Sequence, residues 1–240
     1  MPDPIFSHPR LAAVYDAFDD DRRDLDAYDA LVTELGAHAV ADIGCGTGCL
    51  ALRLALRGLK VIGVDPAGAS LDVARAKPGA DAVTWLESEA TVLPPASADL
   101  VVMTGNVAQV FLTDEEWDKT LGASHRALRP GGHLVFETRR PEMRAWEDWR
   151  RRTAVERRDV PGIGKVEQTF ELRGVDLPLV SFRYTYTFGR ESARLVSDSV
   201  LRFWTRQEIE RSLVRAGFTL MDVRHAPDRP GLEHVFIAHT

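Results

Sequence analysis

Residues 40–48, Val-Ala-Asp-Ile-Gly-Cys-Gly-Thr-Gly, constrain this chain more than any other stretch. An apolar run ends in three alternating glycines, Gly44, Gly46 and Gly48, and a helical pattern opens directly behind them over 49–57. The order is strand, tight loop, helix. Glycine is needed where a backbone turns with positive φ or comes within contact distance of a guest, because a Cβ there collides with the chain or the ligand. The loop is therefore expected to seat a ligand. The next apolar run, 60–64, stops on Asp65, which puts an acceptor-only carboxylate at the carboxyl end of the neighbouring strand. Open α/β sheets bind nucleotides at that edge, and a ribose diol suits such a group.

Composition narrows the setting. At 240 residues, 45% hydrophobic and 28% charged, the chain reads as one domain (1–240) with its own core. A net charge of −6 argues against a duplex-wrapping surface, so no nucleic-acid partner is expected. The start has neither a basic stretch nor an apolar core of a signal peptide, which predicts a cytoplasmic protein. The longest charge-free run, 100–113, is too short for a bilayer, so no membrane partner is expected either. Cys45 and Cys49 flank the loop, and a reducing compartment gives them no reason to pair; no further ligands lie near them, so no metal is expected.

The glycine spacing, with Asp42 two residues upstream, resembles motif I of the class I S-adenosylmethionine (SAM)-dependent methyltransferases, and the resemblance runs to about residue 138. Glu87-Ser88-Glu89-Ala90 followed by Leu93-Pro94 is similar to the family's adenine segment. Thr104-Gly105-Asn106 stands where motif IV flanks the sulfonium, without the D/N-P-P-Y/F sequence of nucleobase amino-methyltransferases. Leu128-Arg129-Pro130-Gly131-Gly132 resembles the motif before the fifth strand. The resemblance implies SAM as cofactor, S-adenosylhomocysteine as its product, and a cofactor site of Tyr15, Asp42, Gly44, Cys45, Gly46, Gly48, Asp65, Pro66, Glu89, Ala90, Thr104 and Asn106. Whether Glu89 or Glu87 meets the adenine stays open. It also implies a Rossmann-like three-layer α/β sandwich, its mostly parallel seven-stranded sheet ordered 3-2-1-4-5-7-6.

Outside the core, apolar spacing over 11–35, broken by Asp19-Asp20-Asp21, predicts two leading helices within 1–37. Leading helices of this family often lie over the cofactor; on spacing alone Tyr15 fits a cofactor cap or a core residue equally. The SAM-binding core is assigned to 38–140, and the last helix and two strands to 204–240. Between them, period-2 alternation in Val166, Gln168, Phe170, Leu172, then Phe182, Tyr184, Tyr186, Phe188, then Leu195 to Phe203, predicts an inserted antiparallel β layer over 153–203. This layer is expected to be a lid over the acceptor, separable from the cofactor site. Arg139, Trp146, Tyr184 and Tyr186 are the substrate candidates, Arg139 as the partner of an anionic acceptor. Trp149 shares a helix face with Trp146. The remaining arginines of 139–158 are interleaved with acids and read as a solvated, ion-paired segment.

Methyl transfer from a sulfonium needs positioning more than a strong base. Of the 7 histidines only His8 and His225 are placed to reach the mouth, and His225 is the one weak catalytic candidate. The expectation is a methyltransferase acting on the N, O or C atom of a small-molecule acceptor, as a monomer or homodimer. A non-catalytic SAM-binding regulator and, opposed by the glycine spacing, an NAD-dependent oxidoreductase are the alternatives.

Overall fold

The computed structural model describes residues 2–189 and 193–240, so residues 190–192 of the inserted layer lie outside the described residues. Helices α1 (Pro4–Ser7), α2 (Pro9–Phe18) and α3 (Asp24–Glu34) lead the chain. Pro9 opens α2 where its missing N–H costs nothing, and His8 caps that helix by accepting the Arg10 amide. Then β1 (Ala39–Ile43), α4 (Cys49–Leu56), β2 (Lys60–Asp65), α5 (Gly68–Arg75), β3 (Val83–Glu87), β4 (Ala98–Met103), α6 (Asp114–Ala127) and β5 (Leu128–Arg139) alternate. Each crossover returns the chain parallel to its neighbour. Two capping boxes form, Thr113 with Glu116 starting α6 and Thr205 with Glu208 starting α8 (Arg206–Arg215).

After α7 (Ala145–Arg151), strands β6 (Glu156–Val160), β7 (Gly164–Asp176), β8 (Leu179–Phe188) and β9 (Ala193–Arg202) form a separate antiparallel sheet in that order. The chain closes with β10 (Thr219–His225) and β11 (Glu233–His239). The main sheet is ordered β3-β2-β1-β4-β5-β11-β10, and β11 runs antiparallel to both of its neighbours. This is the expected order. One boundary differs: β5 begins at Leu128, and Pro130-Gly131-Gly132 is taken up as a slip in register between the Ala98–Leu128 and Leu100–His133 pairs.

The apolar run of β4 is explained by burial on both faces. Leu100 and Val102 enter a cluster with Leu25, Val32 and Leu54, whereas Val101 and Met103 enter the opposite one with Trp117, Leu121 and Leu213. The inserted sheet buries its alternate residues elsewhere: Val160, Val166, Tyr186 and Phe188 pack with Ile5, Leu11 and Val14 of α1 and α2. Helices α1 and α2 and the inserted sheet thus share one core that neither main cluster includes. They also touch the parallel domain, where Ser70 Oγ donates to the Phe6 carbonyl at 2.9 Å.

Candidate functional site

Gly44, Gly46 and Gly48 hold φ of 70°, 52° and 79°, the left-handed region that only glycine enters without strain. The Gly44 and Cys45 amides donate to the Val64 carbonyl, which ties the loop to the end of β2. A Cβ on Gly44 would sit 2.6 Å from the Val107 side chain, and one on Gly48 would sit 2.6 Å from Trp85. At Gly46 it would meet nothing within 4 Å. Gly44 and Gly48 are therefore demanded by packing as well as by φ, and Gly46 by its φ, with open space beside it. Asp65 braces the loop: Oδ2 accepts the Gly46 amide and Oδ1 the Ala67 amide, each at 2.8 Å. Each oxygen keeps a lone pair for a further donor. Burial raises the Asp65 pKa, opposed by those two amides. Asp42 is buried under the loop, its Oδ1 without a partner among the described residues; burial first, then the Asp65 charge, pushes its pKa up to about 7. Pro66 follows Asp65 in the turn to α5, and Cys45 is a buried free thiol.

Helix α2 is pinned onto this loop. Asp16 accepts from Thr47 Oγ1 at 2.5 Å and pairs with Lys77 Nζ at 2.6 Å, while Lys77 also donates to the Thr47 carbonyl at 2.7 Å. No sequence pattern linked these three residues, which come from three elements. Tyr15, the neighbour of Asp16, lines the cavity and leans its ring on Phe6 at 5.5 Å; its phenol titrates above its ordinary range because it is buried.

A cavity of about 1060 Å³ lies at the carboxyl ends of the strands. Gly105, Asn106 and Arg139 of the main sheet line it, together with Tyr15, Phe18 and Arg22 from the leading helices. Phe182, Tyr184 and Tyr186 of the lid and Pro227, Asp228 and Arg229 of the loop before β11 complete it. Tyr186 is fixed by the Gln168 amide at 2.5 Å.

Five further candidates are placed as follows. Trp146 is buried in the lid's own cluster with Val180 and Phe203, because α7 turns that face toward β8 and away from the cavity. His225 ends β10 on the exposed side and meets His234 ring to ring at 6.4 Å, outside the cavity lining. Glu89, beside the buried Ala90, is exposed and paired with Lys119 of α6 at 2.6 Å, while Glu87 fills the space over Gly68. Arg139 lines the cavity but is already answered: Nη1 donates to Gln109 Oε1 at 3.0 Å, Nε lies 3.6 Å from Glu233, and the guanidinium sits over Trp149. It is not a spare cation for an anionic acceptor. Thr104, half-buried at the end of β4, is outside the cavity lining.

Below the cavity, Glu137 of β5 and Glu233 of β11 are both buried. Burial first, and Glu233 second, pushes the Glu137 pKa from 4.5 up to about 8. A carboxyl with a raised native pKa contributes stability that is complete below 4.5 and is lost as pH rises toward and through about 8. The melting temperature of the ligand-free protein should therefore fall across that window, and Glu137→Gln should flatten the decline. Calorimetric melts at several pH values check it; an unchanged slope in the variant would mean that Glu137 is ionised in the native protein.

Residues 40–132 match a family model described as a methyltransferase domain. This stretch is a methyltransferase domain by that match, and the strand order around it is the one expected of the class I methyltransferase fold. Among curated methyltransferases it is 37% identical to the demethylmenaquinone methyltransferase of Thermus thermophilus over 109 residues, 44% of this chain and 49% of that protein. The chain spans about half the length of the curated relatives it matches. Of the solved structures, the sugar N-methyltransferase KedS8 from Streptoalloteichus sp. superposes with a TM-score of 0.75 at 18% identity, covering 94% of this chain and 92% of that one. SAM-bound CalS10, an amino pentose methyltransferase from Micromonospora echinaspora, gives 0.70 at 21%, covering 94% and 96%. Both are likenesses of fold, and at 94% coverage they take in the inserted sheet as well as the parallel domain.

Proposed function

We propose that this chain binds SAM at the Gly44 to Gly48 loop and transfers its methyl group to a small-molecule acceptor held in the adjoining cavity. The observation that carries this is the open space at Gly46 beside an Asp65 already oriented by two amides. The residues fit the cofactor: the loop presents backbone without side chains, Asp65 keeps lone pairs for a ribose diol, and Asp42 Oδ1 lacks a partner among the described residues. Tyr15 and α2 would cover it. When bound, SAM supplies a methyl group on a sulfonium, an activated leaving group. What the chain must do is hold the acceptor in line and keep water out. The lid supports the second role, since Phe182, Tyr184 and Tyr186 bring aromatic surface over the strand ends.

The size of the cavity favours an enzyme over a SAM-binding regulator, which needs no space beyond the cofactor. The antiparallel β11 and the glycine spacing oppose a nicotinamide enzyme. Neighbours of the same fold include a sugar N-methyltransferase and an amino pentose methyltransferase, which supports an acceptor of that size. The test is isotope-labelled SAM incubated with the protein and a small-molecule library. A labelled product with equimolar S-adenosylhomocysteine is expected; tight SAM binding with no labelled product would favour the regulator.

A further inference from the structure

We propose that Asn106 recognises the methyl acceptor directly, its side-chain carbonyl accepting an N–H from it, and that the acceptor is accordingly an amine. The proposal rests on the methyl-transfer reading above. Asn106 follows β4 with φ 63° and ψ 31°, a left-handed conformation that asparagine tolerates better than most residues. Two acids hold it there: its backbone N–H donates to Glu137 Oε1 at 2.9 Å and its Nδ2 to Glu233 Oε1 at 3.2 Å. Glu233 also accepts from Arg229 at 2.7 Å and lies 3.6 Å from Arg139.

A carboxylate set between two guanidiniums only accepts, so the amide nitrogen of Asn106 must face Glu233 and the carbonyl must face away. That carbonyl oxygen is buried with no partner among the described residues, on a residue 3% exposed that lines the cavity. An unmade hydrogen bond of this kind costs roughly 1–3 kcal/mol, and native interiors seldom leave one. The missing partner is a donor, and the cavity is where it would come from.

Nitrogen rather than oxygen follows from what the cavity lacks. Among the described residues no histidine lines it. Of the carboxylates that line it, Asp19, Asp21, Asp24, Asp26, Glu156 and Asp228 are each paired with an arginine, which makes them poor bases, and Asp3 is held by the Ser199 side chain. A neutral amide carbonyl does not deprotonate an alcohol. An amine, once its ammonium form has given a proton to water, can donate one N–H to it and still present a lone pair, so no base strong enough for an alcohol is needed before transfer. The acceptor nitrogen forms its bond to carbon as the carbon–sulfur bond breaks; that bond's electron pair stays on sulfur, and the nitrogen then sheds one proton to water.

The cofactor's own α-amine carries the same N–H chemistry, and the test separates the two. A panel of primary amines (2-phenylethylamine, tyramine, glucosamine) is paired with alcohol twins (2-phenylethanol, tyrosol, glucose) in the presence of labelled SAM. Label should enter amines only. Melting of the cofactor-free protein should shift upward with an amine substrate and not with its alcohol twin. Asn106→Gly keeps the left-handed backbone and removes the carbonyl. It should lose that shift and at least about thirtyfold in kcat/KM, and because the resemblance also put Asn106 in the cofactor site, titration with S-adenosylhomocysteine is run beside it to separate the two roles. Label entering alcohols equally, or no amine at all, overturns the proposal, and so does an Asn106→Gly variant that loses cofactor affinity but keeps the amine shift. Wild-type protein that binds neither SAM nor S-adenosylhomocysteine instead overturns the methyl-transfer reading, whereas labelled alcohols leave that reading intact.

Discussion

Gly46→Val should yield a folded protein that no longer binds SAM, with affinity down at least about a hundredfold. Position 46 separates fold from function because an added Cβ there meets nothing within 4 Å. The cost to the free protein is the left-handed φ of 52°, roughly 1–2 kcal/mol for a residue with a Cβ and somewhat more for a branched one. Gly44→Val is the contrasting control: its Cβ lands 2.6 Å from Val107, so it should damage folding as well as binding. Calorimetric titration of each variant with SAM, next to its melting curve, measures both quantities. If Gly46→Val binds like the wild type, the loop does not seat the cofactor.

Deleting residues 2–18 should abolish turnover by dismantling the lid, although no residue of the lid is touched. Ile5, Leu11 and Val14 are buried against Val160, Val166, Tyr186 and Phe188, and removing the helices exposes that face to water. Leu11→Ala alone should cost about 2–5 kcal/mol, the range for truncating a fully buried leucine. The deletion also removes Asp16, and with it the bond to Thr47 and the pair with Lys77 that pin α2 to the glycine loop. Limited proteolysis should find new cuts within 156–202, with product formation lost in the same preparation. A truncated protein that retained a protease-resistant lid and full turnover would contradict the shared core. For the same reason the lid cannot be excised to test the cofactor site by itself, since its absence would leave Ile5, Leu11 and Val14 bare. Tyr184→Ala, a change inside the cavity, is the cleaner probe of the lid's role.

Much of this protein is legible in its sequence because the signals are local. Three glycines two apart dictate a left-handed loop whatever surrounds them, and all three hold positive φ. Thr113 with Glu116, and Thr205 with Glu208, lie within one helical turn of each other and cap as their spacing requires. Period-2 alternation marked the β layer, and Tyr184 and Tyr186 line the cavity. Alternation reports that one face is buried without naming what covers it. Only the tertiary structure decided that α1 and α2 share the lid's core, that Trp146 fills the lid interior, and that His225 stays outside the cavity. The floor of the site is the clearest case. Glu137 and Glu233 are 96 residues apart and meet only because β11 inserts antiparallel beside β5, setting Glu233 opposite Arg139 and Val235 opposite Glu137. Local pattern reflects the backbone torsions and burial of a few neighbouring residues. A raised carboxyl pKa, an arginine already paired and an asparagine oxygen without a partner arise from desolvation and charge between distant segments, and these exist only once the chain has folded.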